Sequence, residues 1–343
     1  MVDLRSDTIT RPTPEMREAM ARAEVGDDVF GEDPTVNRLE AMAADLLGKE
    51  AGLFVASGTM GNLVALLTHC RRGDEAIVGD KSHTLRYEQG GMAALGGIMP
   101  HVVPNLDDGT MALEAIEAAI RPPNVHFPRT RLVALENTHN LCAGVPLTAA
   151  YTRRVGELAH ARGLKMHIDG ARLFNAAAAL GIPARELAAP ADSVTFCLSK
   201  GLCAPVGSVL VGSAAFIAEA RRARKVVGGG MRQAGVIAAA GIVALEKMRA
   251  RLVEDHRRAR RLAAGWGALP AVTVEPVHTN MVYFAVDESV PLAAQAIVAA
   301  LKERGVLLLA VGGRRFRAVT HYWIDDAAVE QAIAALGEVL SAA

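Results

Sequence analysis

The residues with the most chemical content stand where apolar runs stop. Ser193-Val-Thr-Phe-Cys-Leu reads as a buried strand that ends abruptly at Ser199 and Lys200, followed by Gly201. A buried ammonium is costly and tends to lose its proton, and a neutral amine is a nucleophile towards carbonyls. Taken alone, the pattern also describes a lysine that threads its amine out to solvent. Gly163-Leu-Lys-Met-His-Ile-Asp169 ends in the same way on Asp169, with Arg172 three residues on. His167 and Asp169 share a strand face, as metal ligands do, but no third ligand stands nearby, so no metal is expected. Ala76-Ile-Val-Gly leads to His83, which fits a group that stacks on a planar ligand or moves a proton, and equally a surface loop histidine.

A fourth run, Glu50 to Ala56, passes through Ser57-Gly58-Thr59-Met60-Gly61-Asn62 into a helix. Such a turn is either an ordinary connection or an anion site, in which the amides of Gly58 and Thr59 and the Thr59 hydroxyl point outward. A helix terminus contributes only about 0.3 to 1 kcal/mol to a charge, so a dianion there also needs a basic side chain.

The elements that must position these groups alternate. Strands Glu50–Ala56, Ala76–Gly79, one containing Val102, Thr130–Glu136, Gly163–Asp169 and Ser193–Leu198 are separated by helices at Thr35–Leu47, Met111–Ile120 and Thr148–Arg162, and by a short one around Arg185–Ala189. This order predicts an α/β fold with a mostly parallel central sheet flanked by helices, with the ligand site at the carboxyl ends of the strands. Asp169, His83 and Lys200 all fall at such ends. Val206–Gly212 reads as an antiparallel or edge strand. The chain opens with a polar arm at Arg5–Pro12 and a helix from Pro14 to about Ala23.

A smaller α+β unit is expected from about residue 250. It has strands Asn280–Val286, Gly305–Ala310 and Phe316–Thr320, a helix Leu292–Arg304, and a last helix capped by Asp325 or Asp326. The expected division is therefore residues 1–249, arm and large domain, and 250–343, small domain. Arg317 lies within an apolar strand, where an arginine usually meets an anion.

Composition narrows the partners. With 343 residues, 37 basic and 37 acidic, and a pI near 7.2, the surface is not built for polyanions. The run holding Arg257, Arg258, Arg260 and Arg261 is a solvated helix face, and no nucleic acid is expected. No membrane is expected either: no apolar segment reaches about 18 residues, and no signal peptide opens the chain. Cys70, Cys142, Cys197 and Cys203 have neither disulfide-framework nor zinc spacing and read as free thiols in a cytoplasmic protein. The acidic loop Val25–Pro34 lacks a full cation ligand set.

A Schiff-base lysine, an aspartate on an adjacent strand end, a helix terminus for phosphate and a stacking histidine are together what pyridoxal 5'-phosphate needs. The aspartate keeps the ring nitrogen protonated, by about 1 to 3 pK units, and a protonated ring is an electron sink. Over nearly its whole length the sequence resembles the low-specificity threonine aldolases, pyridoxal-phosphate enzymes of the aspartate-aminotransferase fold. The likeness rests on Asp3-Leu-Arg-Ser-Asp-Thr-Ile-Thr, Val25-Gly-Asp-Asp-Val-Phe-Gly-Glu-Asp-Pro-Thr, Ser57-Gly-Thr, Leu135-Glu-Asn-Thr-His-Asn, His167-Ile-Asp-Gly-Ala-Arg, Cys197-Leu-Ser-Lys-Gly-Leu, Gly228-Gly-Gly-Met-Arg-Gln and Arg317-Ala-Val-Thr-His.

The resemblance implies that Lys200 carries the cofactor, Asp169 meets its ring nitrogen, His83 stacks on the ring, and Gly58 and Thr59 hold the phosphate. It also implies that Arg172 belongs to the cofactor and substrate sites, and that Ser6, Arg172 and Arg317 hold a substrate carboxylate. His126 is placed near the β-hydroxyl of a β-hydroxy amino acid, and Tyr87 shapes the pocket. Lys225 and Arg232 reach the cofactor of a neighbouring subunit in a dimer of dimers with active sites at the subunit interface. The activity implied is retro-aldol cleavage to glycine and an aldehyde, with His83 or His126 among the candidates for the base. Transamination or β-elimination on the same scaffold is the rival, and a non-catalytic role is third. Two positions depart from many members: Ala143, where a glycine is common, and Tyr87, where a phenylalanine also occurs.

Overall fold

The computed structural model describes residues 1–342. In chain order the strands of the first half are β1 (Val2–Asp3), β2 (Ala51–Val55), β3 (Asp74–Gly79), β4 (Met99–Val103), β5 (Arg129–Glu136), β6 (Lys165–Asp169), β7 (Ser193–Cys197) and β8 (Ser208–Gly212). Those of the C-terminal part are β9 (Val272–Val274), β10 (Met281–Val286), β11 (Val306–Leu307), β12 (Leu309–Gly312) and β13 (Arg315–Val319).

Seven strands form the central sheet in the order β2-β8-β7-β6-β5-β3-β4. The pairs among β4, β3, β5, β6 and β7 are parallel, and β8 alone runs against its neighbours β2 and β7. The expected antiparallel strand is therefore not at an edge. It lies inside the sheet, and every residue of β7 and of β8 is buried. Helices cover both faces, which is why these strands read as continuous apolar runs rather than alternating ones.

Helix boundaries follow their local chemistry. The helix Gly58–His69 is capped by the Ser57 hydroxyl, which accepts from the Met60 amide, and Pro34–Leu47 begins with Pro at its first position and ends at Gly48 with φ 64°. Asp325 caps Asp326–Ser341, accepting from the Ala328 amide at 2.8 Å. The helix expected at Met111–Ile120 shortens to Leu113–Ala119, and the Asp108 carboxylate before it accepts from the Thr110 amide in a turn.

The C-terminal part has its own four-stranded antiparallel sheet, β12-β13-β10-β9, and its own core of Trp266, Phe284, Phe316, Leu301 and Leu336. The strand expected over Gly305–Ala310 is broken in two, and its first half, β11, pairs in parallel with β1. Val2 and Leu4 consequently pack in the second core, so the start of the chain lies with its end. The arm then crosses back: Thr10 Oγ1 donates to the carbonyl of Lys200 at 2.8 Å.

Three acids of the loop 25–34 have protein partners. Asp27 pairs with Arg232, Asp28 with the buried Arg224, and Asp33 accepts from the amides of Gly26, Thr35, Val36 and Gly235. Replacing Asp33 with alanine removes a helix cap and strands the buried Gly235 amide. We expect a loss of about 2 to 4 kcal/mol in urea unfolding; a loss below about 0.5 kcal/mol would show that the loop does not depend on it.

Candidate active site

The carboxyl ends of β3, β5, β6 and β7 converge on one side of the central sheet. Asp169 is the last residue of β6 and is 3% exposed. One of its oxygens accepts from Asn62 Nδ2 at 2.9 Å and the other from the Ala171 amide at 3.1 Å. Lys200 follows the end of the adjacent β7 by three residues and is partly exposed. His83 opens the short helix His83–Arg86, anchored by its amide to Glu136 at 2.7 Å, and Glu136 is the last residue of β5.

His83 Nδ1 bonds Glu88 Oε1 at 2.8 Å, and that oxygen also accepts from Asn62 Nδ2 at 2.8 Å. Polar atoms of His83, Glu88 and Asp169 lie within 4.8 Å of one another, and the Asn62 amide fills the space between the two carboxylates. Burial opposes charge on His83, but the bond to Glu88 and the nearby Asp169 outweigh it and raise its pKa. Burial pushes the Glu88 carboxyl up as well. The pair therefore retains a proton to higher pH than either group alone, and Nδ1 is committed to it.

Arg172 is sealed at 7% exposure and grips Asp7 with two bonds, Nε to Oδ2 at 2.7 Å and Nη2 to Oδ1 at 2.5 Å. Asn280 Nδ2 completes the Asp7 shell at 3.2 Å. Burial alone raises the Asp7 pKa; the Arg172 charge and hydrogen bonds, with Lys200 and Asn280, more than reverse this and hold it well below the usual range. Arg172 is thus not as open a clamp as the resemblance implies, since only Nη1 lacks a protein acceptor among the described residues. Arg317 stands across from Tyr283 in the β10–β13 pair, with Nη1 on Asn140 Oδ1 at 3.1 Å and Nη2 on the Arg5 carbonyl at 3.0 Å. Ser6, one residue before Asp7, accepts from the amide and hydroxyl of Thr8.

A phosphate-sized anion has a cradle. Ser57 Oγ takes the Met60 amide and the Ser57 carbonyl takes the Gly61 amide, whereas the amides of Gly58 and Thr59 meet no protein acceptor among the described residues. A Cβ at Gly58 would sit 2.9 Å from Cys197 Sγ, so the turn lies directly on the end of β7. Amine, carboxylate, imidazole and free amides fit pyridoxal phosphate in chemical type.

Other expected residues lie elsewhere. His126 is exposed in a loop three residues before β5 begins, and the strand carries the chain about 23 Å from there to the site. Three residues span only about 11 Å, so His126 cannot reach the site of its own chain. Lys225 lines a cavity of about 450 Å³ with Val29, Arg221 and Gly230, and Arg232 is paired with Asp27. Tyr87 is exposed, its ring 5.5 Å from that of His83. Ala143, in the Asn140–Gly144 loop, has φ 56°, a conformation that explains a preference for glycine there.

The family model for beta-eliminating lyases matches residues 3–289. The low-specificity L-threonine aldolase 1 of Arabidopsis thaliana is 50% identical over 344 residues, covering 99% of this chain and 96% of that protein. The chain belongs to the threonine aldolases of the beta-eliminating lyase family. The low specificity L-threonine aldolase of Escherichia coli K12 is 48% identical over 321 residues, 94% of each chain. In fold, the solved threonine aldolase of Leishmania major matches with a TM-score of 0.86 at 20% identity, covering 99% of this chain and all of that one.

Asn62, Glu88, Glu136, Asp7 and Asn140 were not singled out from the sequence. Glu136 carried a usable signal, a carboxylate at the end of an apolar run like that of Asp169; the others sit in helices or turns with none. Asp7→Asn leaves the buried Arg172 without its counter-charge. Because the Asp7 pKa is lowered by folding, its contribution is fully present at neutral pH and is lost only in acid. At pH 7 the variant should lose about 3 to 5 kcal/mol in chemical denaturation, and an unchanged midpoint would contradict the pairing.

Proposed function

We propose that this threonine aldolase cleaves the Cα–Cβ bond of L-threonine, L-allo-threonine and related β-hydroxy-α-amino acids to glycine and an aldehyde, with pyridoxal 5'-phosphate held on Lys200. The observation that carries this is the meeting of Lys200 and Asp169 at the ends of adjacent strands, with His83 beside them. Once bound, the cofactor withdraws electrons from the substrate's α-carbon.

The chain's own groups supply the rest. Asp169, fixed by Asn62 and the Ala171 amide, offers the negative charge that the ring nitrogen requires. The free amides of Gly58 and Thr59 receive the phosphate, and Lys225 and Arg232 of a neighbouring subunit supply the basic partners. Ser6, the open Nη1 of Arg172 and the outer hydrogens of Arg317 hold the substrate carboxylate and so orient the bond to be broken. His83, with Nδ1 tied to Glu88, presents Nε2 to the hydroxyl proton, directly or through a water. Tyr87, packed beside it, borders the side-chain pocket. His126 acts on the β-hydroxyl only across a subunit boundary, which accords with a dimer of dimers. The four free, buried thiols support a reducing, cytoplasmic setting, and no helix among the described residues is long and apolar enough to cross a membrane.

The family's β-eliminating members favour one rival, elimination on the same scaffold. Purified protein with pyridoxal phosphate is offered all four threonine stereoisomers and assayed for acetaldehyde, glycine and keto acid. Glycine and acetaldehyde from the L-isomers are expected, with Lys200→Ala inactive and His83→Asn slowed about 100-fold or more. Keto acid in place of glycine would overturn the reaction, and full turnover in separate His83→Asn and His126→Asn variants would remove both as the base.

A further inference from the structure

A chain of polar groups leads from Asp169 toward the amino end of β7, where Ser193 stands. Asn62 Oδ1 meets His167 Nε2 at 3.1 Å, His167 Nδ1 meets Ser193 Oγ at 2.9 Å, and Ser193 Oγ meets His69 Nε2 at 2.8 Å. His69 borders a cavity of about 470 Å³ with Lys49, Lys165, Asp192 and Phe216, and its ring stacks on Phe216 at 4.5 Å. The fold makes this route. Asn62 and His69 are seven residues apart on one face of the same helix, about 10 Å along its axis, and His167 and Ser193 are direct partners in the β6–β7 register, bridging the gap beneath it. Gly61 lets the helix come close enough, for a Cβ there would lie 2.5 Å from the Thr195 side chain.

The Asn62 amide sets the direction of the hydrogen bonds that follow from it. Asn62 Nδ2 faces two carboxylates, Asp169 and Glu88, so it donates to both and Oδ1 must accept. His167 therefore carries its proton on Nε2. Burial depresses its pKa to about 4, so it has one N–H and Nδ1 must accept, from the Ser193 hydroxyl. The Ser193 oxygen then accepts from His69, whose own pKa burial lowers to about 3 and whose proton is likewise on Nε2. Each link of the chain joins one donor to one acceptor, and reversing any one would set lone pair against lone pair or oxygen against carboxylate.

We infer that His167, Ser193 and His69 are positioning residues that lock the Asn62 amide, and through it the Asp169 carboxylate, in the orientation that the cofactor's ring nitrogen needs. The inference rests on the assignment of Asp169 in the proposed function. It also accounts for His167 without a metal: both ring nitrogens are occupied by Asn62 and Ser193.

The test uses Ser193→Ala, which touches neither Asp169 nor Lys200. With the serine donor gone, His167 is free to move its proton to Nδ1, and Asn62 loses the contact that fixes it. Affinity for pyridoxal phosphate, read by titration of its visible absorbance, should fall about two- to twelve-fold, the worth of one hydrogen bond, and the pH profile of the band should shift. His69→Gln, which retains a donor, should stay near wild type in both readouts, and His69→Leu should follow Ser193→Ala. Imidazole nitrogen NMR of the holoenzyme should show His69 and His167 as Nε2–H tautomers. A Ser193→Ala protein that is folded by circular dichroism, with wild-type cofactor affinity and band profile, would overturn the inference, as would Nδ1–H tautomers. If the wild type bound no pyridoxal phosphate, the functional assignment would fail instead, while the tautomers would still report on the chain itself.

Discussion

The doubly hydrogen-bonded pair of Asp7 and Arg172 ties the three parts of the site together. A sealed guanidinium in a protein interior is tolerable only with a counter-ion in contact and its donors occupied. Asp7 supplies both, and it also accepts from Asn280, the residue before β10. One carboxylate thus links the arm, the end of β6 and the second core. With Asp7 in place, Leu4 binds Val319, Arg5 meets Arg317, Ser6 accepts from Thr8 and Thr10 holds the Lys200 carbonyl. The arm that a sequence reader takes for a polar tail is the wall between two cores, and its residue types follow from that: apolar at Val2 and Leu4, charged at Asp7, hydroxylic at Ser6 and Thr10.

The same economy recurs around Asp169. A buried carboxylate needs donors aimed at its oxygens. The Ala171 amide and Asn62 do this from behind, and Asn62 in turn spaces Asp169 from Glu88, two negative groups that would otherwise repel. His83 is held from below by Glu88 and by Glu136 at its amide, so its ring position is set by backbone as well as side chain. Asp169 and His83 are thereby each oriented by neighbouring groups, which is the arrangement that gives a positioned site its precision.

Much of this was legible in the sequence, and the part that was not has a physical reason. Parallel strands covered on both faces must be apolar throughout, so their ends stand out wherever a charged residue interrupts the run; Lys200, Asp169 and His83 were found in that way. Position in the sheet was not legible: β8 has the composition of an edge or an interior strand alike, and only pairing places it between β2 and β7. Residues that neighbour a reactive group through space, such as Asn62 and Glu88, carry no periodicity and cannot be found from spacing. Arg172 was recognised as a ligand-type residue, but its principal partner, Asp7, lies in a segment far away in the chain. His126 precedes a parallel strand and so lies at its amino end, away from the carboxyl-end site of its own chain.

The most direct test is chemical trapping of the cofactor-bearing amine. The purified protein is incubated with pyridoxal phosphate, reduced with borohydride, digested and analysed by mass spectrometry. A single pyridoxyl tag on the peptide containing Lys200, lost in Lys200→Ala, is the expected result. A tag on another lysine, such as Lys225 or Lys165, with Lys200 unmodified, would contradict a site built on the end of β7.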